Sequence, residues 1–245
     1  MTEAIRSLAA RYYTDPQVFK LETEGLLART WQFGCHGSEL AKIGDYATFE
    51  IAGESLFAIR GRDENIRVFY NVCQHRAHQL VSGTGTTRVI VCPYHAWTYE
   101  LTGELRAGPN INTVEGFDKS GICLTEVRAE EFLGFIFVNL DPESAPMEKW
   151  FPNARAELEE WVPNWVDLKP LEWVEIPEKC NWKVSVENYS ECYHCSLNHP
   201  TFANGVVKPE TYDIQPQGKC LRHTTECQSL EDMSYNVHSG FPHQY

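Results

Sequence analysis

The sequence predicts an α+β protein in which a compact all-β module follows a short helical segment and precedes a second, mixed half. The period of the apolar residues changes from helical to strand-like near Gly44, and the strand-like period continues to about Leu140. Beyond it, a tryptophan-rich stretch broken by prolines leads into a helical segment that Pro200 ends. The predicted domains are a helical segment, the β module and a second domain of helices and antiparallel strands, over residues 1–43, 44–140 and 141–245.

A local sequence pattern supports each predicted element. Apolar side chains recur at helical spacing from Pro16 to Trp31, which predicts an amphipathic helix. Alternating apolar residues from Tyr46 to Tyr70, interrupted by glycine-containing turns, predict a run of hairpins. The remaining predicted elements are strands at Val89–Val91, Ala96–Glu100, Phe132–Leu140 and Leu221–Ser229, and helices at Met147–Trp161 and Trp182–Asn198.

The charge composition argues against a nucleic-acid partner. The 245 residues hold 21 Lys and Arg against 34 Asp and Glu, a net charge of −13, whereas a phosphate backbone attracts basic surfaces. The apolar runs are too short for a membrane-spanning helix, and Met1–Arg11 lacks the apolar core of a secretory signal. We therefore expect a cytoplasmic protein with no membrane or nucleic-acid partner. In that compartment the nine cysteines are expected to be thiols and metal ligands, not disulfides.

Two Cys–His pairs lie in the β module, as Cys73-Gln74-His75 and Cys92-Pro93-Tyr94-His95. A zinc finger usually places two cysteines before two histidines, whereas each pair here mixes one of each. That mixture suits a [2Fe–2S] cluster in which one iron takes two thiolates and the other takes two imidazoles. A zinc site and four unrelated residues are the competing interpretations. The nearby Gly83-Thr84-Gly85 lacks a third glycine and a following helix, so no dinucleotide site is predicted.

A second group of candidate ligands lies on the predicted helix in the second half. Glu191 and His194 are three residues apart and therefore share a helical face, and His199 reaches the same point if the helix ends before Pro200. Two histidines with a carboxylate from elsewhere form the facial triad of Fe(II) oxygenases. Structural or surface histidines are one alternative. A redox pair at Cys192-x-x-Cys195 is another, although the strand-then-helix setting of thioredoxin-like motifs is not evident.

Cys73-x-His75 and Cys92-x2-His95, followed by Trp97-x-Tyr99, resemble the Rieske motif of ring-hydroxylating and related non-haem iron oxygenases. The resemblance implies that the two cysteines bind the inner iron and that the two histidines bind the exposed outer iron. Family members commonly have proline at position 74 and glycine at positions 77 and 96, where this chain has Gln74, Ala77 and Ala96. Because alanine replaces glycine readily only where φ is negative, we expect altered loop geometry at the two alanines.

The segment from Asn181-Trp182-Lys183 to His199-Pro200 resembles the catalytic-domain motif of Rieske oxygenase alpha subunits. The resemblance implies that His194 and His199 bind a mononuclear Fe(II). It also implies that Glu191 bridges a Rieske histidine of one subunit to an iron-ligand histidine of its neighbour. Glutamate there, where most ring hydroxylases carry aspartate, resembles the subgroup that acts on quaternary ammonium compounds such as carnitine, glycine betaine and choline.

The same resemblance implies a helix-grip, START-like catalytic domain, a homotrimer, and a flavin and iron–sulfur reductase that supplies NAD(P)H-derived electrons. The family's third iron ligand is an acidic residue far downstream of the histidines. We therefore expect a truncated alpha subunit whose second iron site lacks its carboxylate. The third ligand stays unknown, and the acidic residues available in the tail are Asp213, Glu226, Glu231 and Asp232.

Three functions remain open at this point. The first is a monooxygenase component that uses O2 on a small cationic substrate, a quaternary amine. The second is the alpha subunit of an aromatic-ring-hydroxylating dioxygenase. The third is a Rieske electron-transfer protein without a working catalytic iron.

Overall fold

The computed structural model describes residues 7–217 and 219–226, so the predictions at Ser229, Glu231 and Asp232 lie outside the described residues. The predicted α+β class, with antiparallel sheets, is confirmed. The chain forms two compact units. One consists of Lys20–Met147 with Asn164–Trp173, and the other of residues up to Phe19, Glu148–Pro163 and residues from Val174 onward.

The described residues contain α-helices and β-strands that we number separately in chain order. The helices are α1 (Arg11–Thr14), α2 (Pro16–Gly25), α3 (Met147–Trp150), α4 (Ala154–Trp161), α5 (Trp182–Tyr189), α6 (Cys195–Asn198) and α7 (Pro200–Gly205). The strands are β1 (Gln32–His36), β2 (Asp45–Ile51), β3 (Glu54–Arg60), β4 (Ile66–Tyr70), β5 (Thr84–Thr86), β6 (Ile90–Val91), β7 (Thr98–Tyr99), β8 (Leu105–Ala107), β9 (Glu126–Phe132), β10 (Phe135–Asn139), β11 (Asp213–Gln217) and β12 (Cys220–Thr224).

The β module contains two antiparallel sheets. Seven strands pair in the order β1-β10-β9-β4-β3-β2-β5, and three short strands pair in the order β6-β7-β8. Strand β3 lies between β2 and β4, with Phe57 opposite Thr48 on one side and opposite Phe69 on the other. Four consecutive β3 residues, Leu56 to Ile59, are fully buried, so both faces of this strand are covered.

The alternation of β3 and β4 divides the core of this module into two clusters. One face carries Phe57, Ile59 and Phe69, which pack with the loop cysteines Cys73 and Cys92. The other face carries a second cluster, made of residues such as Leu56, Ala58, Val68, Ile136 and Val138. The first cluster therefore anchors the loops that hold the first candidate metal site.

The predicted first helix is too long. Helix α2 ends at Gly25, followed by a 3-10 turn at Leu27–Arg29. Glycine is unfavourable inside a helix because it loses the most backbone freedom, and here it closes the last turn. Trp31 is buried, and its indole N–H donates to the Ala145 carbonyl at 3.1 Å. The local pattern does not reveal this long-range contact, which holds the residue directly before β1.

The predicted strands of the β module are confirmed in part. Strands β2, β3 and β4 lie where the alternation placed them, and β6, β7 and β10 lie within the predicted ranges. Strands β1, β5, β8 and β9 were not predicted. The three-residue strands β5 and β8 are too short to show a period. In the second half, β12 pairs with β11 and overlaps the predicted strand Leu221–Ser229 at its first four residues, while residues 227–229 lie outside the described residues.

The predicted helix over Met147–Trp161 is wrong as a single element. Helix α3 ends at Trp150, and α4 begins at Ala154 after Asn153, whose φ is +68°. Pro152 lies in this gap, and proline cannot donate the N–H that a continuous helix needs. On α4, Glu157 accepts a hydrogen bond from the Arg222 Nε of β12 at 2.5 Å.

None of the helices in the described part of the chain has the length and apolar composition that a membrane crossing requires.

Candidate metal sites

Two loops with the same hydrogen-bond pattern carry the Cys–His pairs. In each, the cysteine carbonyl accepts from the N–H four residues later, and the cysteine N–H donates to the carbonyl five residues later. These bonds are Ala77 to Cys73 (2.9 Å), Cys73 to His78 (2.8 Å), Ala96 to Cys92 (2.9 Å) and Cys92 to Trp97 (2.8 Å). The two loops therefore hold their cysteines in equivalent ways, although His75 is two residues after its cysteine and His95 is three residues after its own.

The loops bring the four predicted cluster ligands together. Cys73 and Cys92 are buried in the core cluster, whereas His75 is exposed and His95 is half-buried. The His75 and His95 ring centroids are 4.8 Å apart, at 69°. His75 also stacks on Trp97, with centroids 4.8 Å apart and rings inclined by 10°. Two inner sulfurs and two outer imidazoles are the donor set that a Rieske cluster requires, so these residues fit that group.

The imidazole of His95 is held in its neutral form. Desolvation, followed by the nearby positive charges of His75, Arg76 and His78, lowers the pKa of His95 below 6.5. A neutral imidazole has a free lone pair for a metal, whereas an imidazolium has none. The neutral ring therefore has a lone pair available for a metal ligand bond.

Asn71 fixes the first loop, a role that the sequence analysis did not assign. This buried side chain accepts hydrogen bonds from the Leu80 and Val81 N–H groups, both at 3.1 Å, and donates to the Val81 carbonyl at 2.8 Å. The two ends of the loop that contains Cys73 and His75 are thereby held together. The signal in the sequence is a polar residue at the end of the apolar strand β4.

Tyr99 is a second residue that the sequence analysis quoted only as part of a motif. Its fully buried hydroxyl lies 3.2 Å from the Cys73 Sγ and accepts from the Gln74 N–H at 3.0 Å. Burial, followed by the hydrogen bond to Cys73, raises the pKa of Tyr99. When Cys73 is a thiolate ligand it has no proton, so the tyrosine hydroxyl is the donor in this pair.

We expect Tyr99→Phe to lower the reduction potential of the cluster. A hydrogen bond to a ligand sulfur stabilises the extra electron of the reduced form, so its removal favours the oxidised form. A net bond energy of about 1 kcal/mol corresponds to a decrease of about 40 mV for a one-electron couple. A spectroscopic redox titration measures this shift. Tyr70→Phe is the matched control, because its ring packs in the other core cluster, and an equal shift in both variants would contradict the assigned bond.

Ala77 and Ala96 have positive φ angles. The φ angles are +54° and +56°, so both alanines occupy the left-handed region that glycine adopts without strain. The altered loop geometry expected at these positions stays a prediction, and the two alanines bear the conformational cost of the left-handed backbone. The hydrogen bonds that each alanine N–H makes to its loop cysteine supply a physical reason.

Ala77→Gly and Ala96→Gly are each expected to stabilise the β module. Relief of the left-handed conformation outweighs the added freedom of glycine in the unfolded chain, by about 1 kcal/mol per site. Unfolding in denaturant, monitored by the loss of cluster absorption, measures the gain in unfolding free energy. Ala107→Gly on strand β8 is the control and should destabilise, because its backbone is extended. Destabilisation by both loop variants would contradict the assignment of backbone strain to Ala77 and Ala96.

The second group of candidate ligands lies where the predicted helix is broken, which corrects the prediction of one helix over Trp182–Asn198. Helix α5 is capped by Asn181, whose side chain accepts from the Lys183 N–H at 3.1 Å, and it ends at Tyr189. Helix α6 begins only at Cys195. The intervening residues form a turn, so Glu191 and His194 do not share a helical face.

The turn nevertheless brings the predicted residues together. The Glu191 Oε1 lies 2.5 Å from the His194 Nδ1, and the His194 and His199 ring centroids are 5.2 Å apart. The hydrogen bond from His194, above all, lowers the pKa of Glu191, so this carboxylate stays ionised. His199 lies between α6 and α7 with non-helical backbone angles, and α7 begins at Pro200. The two imidazoles can therefore approach one metal ion.

The expectation that no cysteine forms a disulfide is wrong at Cys192 and Cys195. The structure pairs them in a disulfide that closes around Tyr193 and His194. Both cysteines are buried, and they pack with Ala203 and Tyr212. The end of α5 brings the two sulfurs together in a turn, whereas the sequence pattern had placed both cysteines on one continuous helix.

The carboxylate of the predicted triad is not found in the described residues. Across 7–217 and 219–226, no group of three or more Cys, His, Asp or Glu side chains is arranged to hold a metal ion. Asp213 pairs with Thr224 across the hairpin, and Glu226 makes an ion pair with Lys208 at 2.9 Å. A Rieske cluster, which takes only two ligands per iron, does not require such a group.

An aromatic group lies beside the turn that contains His194. The Tyr212 hydroxyl is 3.0 Å from the His223 Nδ1, and the Tyr189 ring centroid is 5.5 Å from that of His223. Tyr212 also packs against the disulfide cysteines. Burial, followed by the charges of Tyr189 and Glu191, raises the pKa of Tyr212. The sequence analysis did not identify this group because its members are far apart in the chain.

Both halves of the chain match models of known protein families. Residues 30–118 match the family model of the Rieske [2Fe-2S] domain, and residues 165–241 match that of the ring hydroxylating alpha subunit (catalytic domain). The carnitine monooxygenase oxygenase subunit of Escherichia coli (strain K12) is 45% identical over 201 residues, which cover 82% of this chain and 54% of that protein. The chain therefore spans about half the length of this curated relative.

Solved structures agree with these matches. The quaternary ammonium Rieske monooxygenase CntA, in complex with the inhibitor MMV12, superposes with a TM-score of 0.87 at 38% identity, covering 92% of this chain and 63% of that one. The F352V mutant of naphthalene 1,2-dioxygenase, bound to phenanthrene, gives a TM-score of 0.67 at 33% identity, covering 78% of this chain and 45% of that one. By these matches, the chain contains a Rieske [2Fe-2S] domain and a segment of the catalytic domain of ring hydroxylating alpha subunits.

Proposed function

We propose that this chain is part of the oxygenase component of a two-component Rieske monooxygenase that acts on a quaternary ammonium compound. The observation that carries the proposal is the Glu191–His194 pair, in which a glutamate carboxylate meets the Nδ1 of a candidate iron ligand. The names of the relatives support the choice of substrate, since the carnitine monooxygenase subunit is 45% identical and the naphthalene dioxygenase structure is 33% identical. Carnitine is therefore the first substrate to test, with O2 as the co-substrate.

The proposed cofactors are a Rieske [2Fe–2S] cluster and a mononuclear Fe(II). Cys73 and Cys92 would hold the inner iron of the cluster, and His75 and His95 the outer iron; His194 and His199 would hold the mononuclear iron. When bound, the cluster supplies one-electron transfer and the mononuclear iron supplies O2 activation for hydroxylation. NAD(P)H would provide the electrons through a flavin and iron–sulfur reductase.

Glu191 is the positioning residue of this proposal. Its carboxylate accepts the Nδ1–H of His194, which fixes the tautomer and leaves the Nε2 lone pair free for a metal. The second carboxylate oxygen accepts from the Tyr193 N–H, so the side chain is held at both oxygens. With a Rieske histidine of a neighbouring subunit as a further donor, the same carboxylate would orient two imidazoles. This role requires an oligomer, and we propose a homotrimer.

The aromatic group of Tyr189, Tyr212 and His223 supports a cationic substrate. Ring faces attract a quaternary ammonium group, which cannot donate hydrogen bonds and is best recognised by an aromatic cage. Within this group, Tyr212 packs against Cys192 and Cys195, the disulfide cysteines that flank Tyr193 and His194. The net charge of −13 also favours a cation over an anion.

A substrate panel tests the proposal. The chain, assembled with iron and a reductase, is offered L-carnitine, glycine betaine, choline and naphthalene, and release of trimethylamine or formaldehyde is measured. We expect product from a quaternary amine and none from naphthalene. Hydroxylated naphthalene without amine cleavage would instead support the dioxygenase function.

Iron analysis distinguishes the proposed oxygenase from the third function, a Rieske electron-transfer protein. A Rieske electron-transfer protein would hold the cluster and no further iron, whereas the proposed oxygenase holds cluster iron plus iron that His194→Ala and His199→Ala remove. We also propose a cytoplasmic location for this chain.

A further inference from the structure

We propose that Cys192 and Cys195 form a reversible dithiol–disulfide switch that controls the order of the iron-binding turn. The disulfide closes a short loop that contains the candidate iron ligand His194 and follows Glu191 directly. The inference rests on the proposed function where it concerns iron. The redox chemistry of the pair stands on the disulfide alone.

Backbone hydrogen bonds connect the disulfide to both candidate ligands. The Cys195 N–H donates to the Cys192 carbonyl at 3.1 Å, and the Cys195 carbonyl accepts from the His199 N–H at 2.9 Å. The His194 carbonyl accepts from the Asn198 N–H, also at 2.9 Å. Cys195, which closes the disulfide ring, is therefore also the first residue of α6, and His199 directly follows the last residue of that helix.

The disulfide reduces the conformational freedom of this turn. The Glu191–His194 hydrogen bond lies at its surface, where the glutamate side chain is 40% exposed. Helix α6 has four residues, too few for a helix to be stable by itself. When the disulfide opens, each freed residue regains backbone entropy. Only these weak local bonds then hold His194 in position. The oxidised turn is thus preorganised for a metal ion, and the reduced turn is not.

The surroundings of the pair allow small redox reagents to reach it. Cys192 and Cys195 are 9% and 5% exposed, but Tyr193 between them is 97% exposed, so little of the chain covers the loop. In a cytoplasmic protein, a disulfide is usually transient and catalytic or redox-sensing. A stable structural role would be unusual in the proposed location.

The oxidant we propose is hydrogen peroxide, and the reductant is a protein or small-molecule dithiol. In the oxidation, the peroxide O–O bond breaks, the S–S bond forms, and the two thiol protons leave on the oxygens as two water molecules. In the reduction, the dithiol gives two electrons and two protons, the Cys192–Cys195 bond breaks, and a disulfide forms in the reductant. The net change in the chain is two electrons and two protons.

Thiol trapping tests the redox chemistry. The native chain is equilibrated in glutathione redox buffers or treated with hydrogen peroxide, alkylated, denatured and digested with trypsin. Trypsin does not cleave between Lys208 and Pro209, so one peptide runs from Val184 to Lys219. This peptide contains Cys192 and Cys195 and no other cysteine. The proposal expects two alkyl groups on this peptide in reducing buffers and none in oxidising buffers. The peptide from Ser120 to Arg128, with exposed Cys123, is the internal control: it carries an alkyl group in reducing buffers and an alkyl group or a glutathione, but no intramolecular disulfide, in oxidising buffers.

Two results of this experiment would overturn the switch. One is a pair that stays oxidised in excess dithiothreitol until the chain is denatured. The other is a pair that peroxide never joins.

Hydrogen exchange and Co(II) binding test the consequence for the iron-binding turn. Compared with the oxidised chain, Cys192→Ser/Cys195→Ser is expected to exchange the amides of Leu197, Asn198 and His199 about tenfold faster. It is also expected to bind Co(II), used as an iron probe, about tenfold more weakly. Cys123→Ser is the matched control and should change neither quantity. The serine variant avoids thiolate binding of Co(II), which would confuse a comparison with the reduced chain.

The outcomes separate the inference from the proposed function. Faster exchange together with weaker Co(II) binding supports the switch. Equal Co(II) affinity in the oxidised chain and the serine variant overturns the inference alone. Co(II) binding that is absent, or unchanged by His194→Ala, overturns the histidine assignment and the inference with it.

Discussion

Cys73→Ser is expected to abolish the Rieske cluster. A serine oxygen is a poor ligand for an iron–sulfur cluster, and the buried position of Cys73 in the core offers no substitute donor from solvent. Cluster content should fall below about a tenth of the wild-type value, because the other three ligands hold only part of a binuclear group. The visible absorption and the electron paramagnetic resonance signal of the reduced cluster measure this loss.

The matched control for the cysteine substitution is Cys123→Ser. Cys123 lies in the same module and is free and exposed, so its replacement should leave both spectra unchanged. Both variants should retain antiparallel sheet by circular dichroism. A full cluster in Cys73→Ser would contradict the ligand assignment, and the zinc alternative would gain support if the wild-type chain bound zinc and no iron.

Glu191→Ala is expected to leave the cluster intact while reducing coupled turnover by about 100-fold or more. The substitution removes the acceptor of the His194 Nδ1–H and the proposed link to the neighbouring subunit. Loss of such an outer partner typically costs 10–100-fold in metal affinity or activity, and the loss of the link adds to this. Product formed per electron from a pre-reduced cluster is the measurement, in the assembly that shows turnover with the wild-type residue.

Two further variants separate the carboxylate from mere packing at this position. Glu191→Asp keeps a carboxylate, as most ring hydroxylases do, and should retain part of the turnover. Glu191→Gln keeps the size but replaces an acceptor-only group with an amide, and should resemble Glu191→Ala. Retention of full coupled turnover in the alanine variant would refute the bridging role, and loss of the cluster spectrum would assign Glu191 a structural role instead.

The sequence predicted the β module well because its hydrophobic period is unambiguous. Strands β2, β3 and β4 follow from alternation and turn residues, and the four proposed cluster ligands follow from the mixed order of cysteine and histidine. Elements that depend on long-range contacts were missed. Strand β1 is an example, since it pairs with β10 about a hundred residues later and the buried Trp31 precedes it.

Helix boundaries were the least accurate predictions. The pattern from Trp182 to Asn198 fits one helix, yet α5 ends at Tyr189. The turn that follows forms a disulfide and a Glu191–His194 hydrogen bond, and these contacts replace the helical bonds of the intervening residues. Local propensity is too weak to decide such a competition, because tertiary contacts routinely override it.

By itself, the sequence determined which atoms are available for chemistry, because ligand type and spacing are covalent properties of the chain. Two Cys–His pairs, two histidines and Glu191 were all identified from it. Only the tertiary structure decided how these groups are held. Tyr99 contacts the Cys73 sulfur, Ala77 and Ala96 occupy left-handed backbone, and Cys192 pairs with Cys195. The physical reason is that each of these features depends on distances and backbone angles set by packing, which a one-dimensional pattern does not specify.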